Sequence, residues 1–232
     1  MDIYSRTELL IGEKAVEKLK KSHVAVFGLG GVGGFAVEAL VRSGIGEITL
    51  FDSDNVCLSN LNRQIIATYE TLEKDKVECF AKRISLINPN TKVNCNKVFY
   101  LPENADKYPL NEFDYVIDAI DTVSAKIALI ERAKAQGIKV ISCMGTGGKI
   151  DVSGVKVADI SKTKGCPLAR VMRRELSSRN ITDVKVVYSE EQAVKGEREQ
   201  DGSKNIPSMI FVPATAGLML AREVVFDLVK GE

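Results

Sequence analysis

The sequence predicts an α/β fold: a mostly parallel sheet with helices on both faces and a smaller C-terminal extension. Three observations predict it. Short apolar runs alternate with helical patterns between residues 23 and 143. The runs at 23–28 and 138–143 are nearly continuous in apolar residues, as strands covered on both faces read. The first run ends in a glycine loop that opens a helix.

In chain order, Leu9, Ile11, Ala15, Val16 and Leu19 predict one or two amphipathic helical segments before residue 21. Residues 23–28 predict the first strand, 31–43 a helix with Phe35, Ala36, Ala39 and Leu40 at helical spacing, and 47–51 the second strand. A helix follows over 74–87, stopped by Asn88-Pro89. Residues 93–98 and 115–119 predict strands, 124–136 a helix closed by Gly137, and 138–143 another buried strand. After Gly145 the pattern changes. Residues 149–152 and 155–160 flank Ser153-Gly154 and predict a hairpin. A helix over 167–178 begins with proline, 185–189 predicts a short strand, 190–205 a charged mobile loop, and 213–229 a terminal helix.

The 232 residues are 45% hydrophobic, enough for one domain with a full core. Residues 1–148 read as its core and 149–232 as a C-terminal substrate and dimerisation part. Lys and Arg number 32 against 31 Asp and Glu, so no global field attracts nucleic acid and any basic surface is local. The five cysteines (Cys57, Cys79, Cys95, Cys143, Cys166) form no CxxC pair. That predicts no structural zinc and a reducing compartment. The N-terminus lacks the apolar core of a signal peptide. The longest apolar-leaning stretch, residues 206–221, is broken by Pro207 and Pro213 and is shorter than the ~20 residues of a spanning helix. A cytoplasmic protein is expected.

Gly28, Gly30, Gly31 and Gly33 fit the spacing of a phosphate-binding turn between a strand and a helix, which gives the fold its Rossmann-like character. A tight turn without a ligand is the alternative. Asp52 and Asp54 end the second strand, where a carboxylate accepts hydrogen bonds from ribose hydroxyls. That position alone does not separate NAD from ATP. The amide-rich run that follows holds Asn62, Arg63 and Gln64, and Lys74 and Lys76 open the next helix. A triphosphate under attack at its α-phosphorus needs such cations, whereas a nicotinamide site does not; the alternative is a solvated loop. Asp118 and Asp121 end a strand at the ligand edge, where carboxylates hold Mg²⁺ bridged to phosphates. Asp121 is placed near the metal and Asp118 in support, against Asp121 as a helix cap.

These blocks, together with Tyr4-Ser5-Arg6, resemble the ubiquitin-activating-enzyme-like superfamily of adenylating enzymes, over about half the chain. The resemblance implies that ATP and Mg²⁺ are the cofactors. Asp54 becomes the ribose acid, Asn62, Arg63 and Lys76 the phosphate contacts, and Asp121 the metal-linked catalytic carboxylate. Arg6 matches an arginine supplied by the partner subunit, which implies a homodimer. Members that activate sulfur-carrier proteins have paired zinc cysteines, absent here. Residues 166–176, 186–190 and 211–218 are instead similar to the tRNA threonylcarbamoyladenosine dehydratase branch. That branch implies adenylation of a tRNA-borne carboxylate followed by cyclisation. Activation of a carrier protein's C-terminal glycine and NAD-dependent oxidoreduction remain the rivals. A sulfur-transfer or cysteine desulfurase partner is left open, with no residue assigned to it.

Arg170, Arg173 and Arg174 share one face of the helix after Pro167, with Lys164 beside it, and predict a tRNA-binding surface. A solvated face paired with Glu175 is the competitor. Cys166 reads either as a nucleophile or as a packed thiol, the second being preferred. His23, at a strand start, reads as structural. The small residues Ala214 to Gly217 predict close helix packing, within the chain or across a dimer.

Overall fold

The structure, a computed structural model, describes residues 3–194, 196 and 206–230. Two short helices, α1 (Ser5–Ile11) and α2 (Glu13–Lys20), lead into β1 (His23–Phe27). Then come α3 (Gly33–Ser43), β2 (Glu47–Phe51), α4 (Lys76–Ile87), β3 (Lys92–Asn96), β4 (Tyr115–Asp118), α5 (Val123–Ala135) and β5 (Lys139–Cys143). The remainder supplies β6 (Val155–Asp159), α6 (Pro167–Ser178), β7 (Lys185–Ser189) and α7 (Phe211–Val229).

All seven strands form one sheet in the order β3-β2-β1-β4-β5-β7-β6. Every pairing is parallel except that of β6 with β7. Strand alternation sends Val24 and Val26 into a core under α2, α3, α4 and α7, and Ala25 and Phe27 into a second core under α5 and α6. No helix among the described residues is long and apolar enough to cross a membrane.

Register places the functional edge. Phe27 pairs with Phe51 on one side and Asp118 on the other, and Asp118 pairs with Ser142. The loops leaving β1, β2, β4 and β5 therefore rise from one level. The chain goes from β1 to β2 on one side and returns to β4 on the other. Their junction is the switch point at which open α/β sheets bind ligands.

The expected hairpin around Ser153-Gly154 does not form. Val152–Gly154 is a 3-10 turn capped by Asp151, whose carboxylate accepts from the Ser153 backbone at 2.8 Å. The backbone N–H groups of Ile150 and Asp151 donate to the Glu191 carboxylate at 3.0 and 2.9 Å, not to a neighbouring strand. β6 pairs with β7 instead and closes the sheet as an antiparallel edge. The loop expected over 190–205 lies largely outside the described residues.

The small residues of α7 pack within the chain. A Cβ on Gly217 would meet the Val32 carbonyl oxygen at 2.3 Å and the Phe35 Cβ at 2.9 Å, so α7 lies against the first turn of α3. Tyr4 anchors the opposite end. Its hydroxyl donates to the Val41 carbonyl at 3.0 Å and accepts from Asn88 at 2.8 Å.

Candidate active site

A cleft of about 1440 Å³ opens over the switch point. One half is walled by the glycine loop, Asp52, Asp54, Arg63, Gln64 and Lys76, and the other by Gly147, Lys149, Gly165 and Cys166. Asp121 also lines the cleft, three residues beyond the end of β4.

The glycines are demanded by approach. Gly28 has φ +89°, and a Cβ there would stand 2.6 Å from the Ala119 carbonyl oxygen. A Cβ on Gly33 would fall 1.8 Å from the Gly28 carbonyl oxygen. Only a bare backbone folds this turn between β1 and α3. No side chain caps α3, so its first turn offers N–H groups to an anion. Gly30 and Gly31 line the cleft directly.

The two acids after β2 divide the work. Asp52 accepts from the backbone of Leu29 at 2.6 Å and of Asp54 at 2.8 Å, which ties the glycine loop to the strand end. Burial pushes its carboxyl above the usual range, against the opposing pull of Lys76 and the two N–H donors. Asp54 is exposed and holds the Lys76 ammonium at 2.8 Å. Lys76 is almost fully buried and also lies 3.9 Å from Asp52. It therefore neutralises and positions both acids at the cleft wall.

Arg63 donates only to neutral acceptors, the Ser59 carbonyl at 2.7 Å and the Asn62 side chain at 3.0 Å. Its charge has no carboxylate partner among the described residues. Asn62 does not line the cleft. Its Nδ2 donates to the Ser208 carbonyl at 2.9 Å, and its place on the wall goes to Asn60 and Gln64. Gln64 Oε1 is buried with no hydrogen-bond partner, beside Gly30. An orphaned acceptor on a cleft wall suits a ligand donor. The amide-rich run hinted at Gln64, but burial decides it.

Below Asp121 lies an arrangement the sequence did not announce. Asp118 and Lys126 are both fully buried and pair at 2.9 Å. Ser142 donates to Asp118 at 2.5 Å, and Lys126 donates to the carbonyls of Ile120 at 3.0 Å and Cys143 at 2.8 Å. This network fixes the backbone from Asp118 to Asp121. The α5 cap position falls to Thr122, so Asp121 is no helix cap. Its carboxylate is exposed and accepts only from the Thr122 hydroxyl, at 3.4 Å.

The described residues hold no group of three metal-ligating side chains. One open carboxylate still fits Mg²⁺, which takes one or two protein carboxylates and completes its shell with phosphates and water.

Arg6 is exposed on α1 and does not reach its own chain's cleft. A second, smaller groove beside the cleft is lined by Lys164, Arg170, Arg173 and Arg174, and shares Gly165, Cys166 and Pro167 with it. Only part of the expected basic face is free. Arg173 donates to the Thr163 carbonyl at 2.9 Å and hydroxyl at 2.7 Å, and Arg174 pairs with Glu175 at 3.0 Å. Arg170 has no side-chain partner among the described residues. Cys166 is buried with its Sγ 4.0 Å from the Gly145 carbonyl. His23 sits at the far end of β1, 2.8 Å from Thr49, in a structural position.

Together these features define an α/β protein of the dinucleotide-binding architecture with an open ligand edge. The ThiF family profile matches residues 4–229, and the chain belongs to that family. It is 42% identical over 240 residues to the tRNA threonylcarbamoyladenosine dehydratase of Bacillus subtilis (strain 168), a match covering 98% of this chain and 94% of the relative. The Escherichia coli (strain K12) protein of the same name is 43% identical over 175 residues, 75% of this chain and 65% of that one. The solved structure of the E. coli dehydratase in complex with ATP is similar with a TM-score of 0.90 at 36% identity, over 98% of this chain and 94% of that one. Its complex with AMP gives 0.89 at 37%, over 97% and 93%.

Proposed function

We propose that this chain is an ATP-dependent dehydratase that adenylates the carboxylate of threonylcarbamoyladenosine in tRNA and promotes its cyclisation. The observation that carries the reading is the two-part cleft. A nucleotide half with an unneutralised arginine adjoins a second half that runs into a basic groove. Relatives and solved structures named as such dehydratases, two of the structures holding ATP or AMP, support it.

In this reading the glycine loop and the α3 N-terminus hold phosphates, and Asp54 and Gln64 take hydroxyl or N–H donors of the nucleoside. Asp121 is the carboxylate that would hold Mg²⁺, which when bound would neutralise charge on the triphosphate. Arg63 stabilises the negative charge that spreads as the substrate carboxylate oxygen attacks the α-phosphorus and pyrophosphate leaves. An atom of the same nucleoside's carbamoyl group then attacks the activated carbonyl carbon, the carbamoyl group gives up an N–H proton to solvent, and AMP leaves with the former carboxylate oxygen. The second step joins two groups already in one molecule, so it needs orientation more than a covalent enzyme intermediate. Arg6 of a second copy completes the phosphate site in a homodimer, and the enzyme works in the cytoplasm. Arg170 and Lys164 receive the tRNA backbone, with Arg173 and Arg174 behind them.

ATP–pyrophosphate exchange tests the reading. Stimulation by tRNA carrying threonylcarbamoyladenosine is expected. Stimulation by a carrier protein ending in glycine, and not by that tRNA, would replace it with the adenylyltransferase alternative.

A further inference from the structure

Three lysines are buried among the described residues: Lys76, Lys126 and Lys149. Two have carboxylates, Lys76 with Asp54 and Lys126 with Asp118. Lys149 has none. It is 3% exposed, it lines the second half of the cleft, and its ammonium donates to one acceptor, the Ser189 carbonyl at 2.8 Å. An ammonium has three N–H donors, so two are left for something else. Acids near it in the chain or at the same sheet edge are committed, and Asp151, two residues on, accepts from the Ser153 backbone and hydroxyl. Glu191 accepts from the backbone of Ile150 and Asp151, Glu190 pairs with Lys156 and accepts from Tyr188, and Asp118 is held by Lys126 and Ser142.

A buried charge without a counter-ion is costly, and a lysine in such a place needs an anion from elsewhere. The phosphates have their own end of the cleft, at the glycine loop and Arg63. Lys149 stands at the end of β7, and the cleft it lines shares Gly165, Cys166 and Pro167 with the basic groove. We propose that Lys149 is the residue that binds the substrate carboxylate and aims it at the α-phosphorus of the nucleotide. This rests on the reading of the chain as a carboxylate-activating enzyme and adds the group that recognises the acid.

The test uses the full-length protein with Lys149→Met, which keeps the aliphatic stem, and Lys149→Arg, which keeps the charge. Pyrophosphate exchange is measured against the concentration of modified tRNA, and ATP affinity is measured calorimetrically without tRNA. Lys149→Met is expected to raise KM for the tRNA roughly tenfold or more with ATP affinity unchanged and Tm not lowered, and Lys149→Arg to restore most of the loss. An anticodon stem-loop bearing the free acid, and the same stem-loop as its methyl ester, serve as competing ligands. The wild type is expected to prefer the acid, and Lys149→Met to bind both alike. A Met variant that keeps the preference overturns the proposal, and so does one that loses ATP affinity in parallel, which would assign Lys149 to the triphosphate. If wild-type exchange is driven by a carrier protein instead, the tRNA reading fails. The lysine assignment then stands only if Lys149→Met raises KM for that C-terminal carboxylate. A wild type that exchanges with neither acid overturns both.

Discussion

Lys126 occupies the first turn of α5 with its ammonium inside the sheet edge, between Asp118 and two main-chain carbonyls. Its removal strands a carboxylate with no access to water. Lys126→Met is expected to cost roughly 3–5 kcal/mol. That corresponds to a fall in Tm of roughly 6–20 °C at about 2–4 °C per kcal/mol. Scanning calorimetry reads it, and adding Asp118→Asn to the same chain should recover part of the loss by removing the stranded charge. Activity is expected to drop beyond what stability explains, because Asp121 follows directly from the fixed segment. Such residues were hard to read from sequence. Asp118, Asp121 and the glycines are marked by their positions at strand ends. Lys126 and Lys149 look like ordinary surface lysines until the fold buries them. Asn62 and Gln64 stand two apart in one polar run, and only tertiary packing decides that Gln64 faces the cleft and Asn62 the Ser208 carbonyl.

At the scale of the element, α6 shows why a shared helical face does not mean a shared role. Its proline start and its bounds follow from the sequence, and its arginines lie three and four residues apart as expected. Yet Arg173 turns back to clamp the Thr163 turn, while Arg170 stays open. Arg170→Ala is expected to weaken tRNA binding and lower the salt slope by about 1 with an unchanged melting curve. Arg173→Ala is expected to lower Tm, because it leaves Thr163 groups without their donor. Filter binding across salt concentrations and thermal melts separate the two. The central strands β1, β2, β4 and β5 were legible because they are buried, largely apolar runs bounded by turns. The partner of β6 was not. A hairpin signal assumes that neighbours in sequence pair, whereas Glu191 takes the N–H groups at 150 and 151 and leaves β6 to the distant β7.

At the scale of the whole molecule, α7 is fastened to the sheet by charge. Lys185 of β7 lies 2.6 Å from Asp227 and 3.2 Å from Glu223, and Tyr115 of β4 donates to Asp227 at 2.8 Å. Burial raises the Asp227 carboxyl, but the bonds from Lys185 and Tyr115 outweigh it and hold it below the usual range. The folded carboxyl therefore keeps its proton less tightly than the unfolded one. Its contribution is complete above about pH 4–5 and is lost as pH falls through the carboxylate range. Tm measured from neutral to acid pH should fall more shallowly in Asp227→Asn, starting from a lower value. The proposed dimer has its own test. Arg6→Ala and Asp121→Ala are each expected to be inactive, and mixed dimers to recover part of the activity through one intact site. No recovery after verified subunit exchange would remove Arg6 from the partner's site. Exposed Leu9 and Leu10, 89% and 83% accessible on the helix that carries Arg6, are the surface such a dimer would cover.

The contact of Gly217 with the Val32 carbonyl also bears on biosynthesis. The glycine loop proposed to hold phosphate is made early in translation, but the helix that braces its far side emerges last. A nascent chain still holding α7 in the ribosomal tunnel has every glycine it needs and no backing for them. Nucleotide binding then comes as a final event of synthesis, and a chain released short of residue 211 has the motif without the grip.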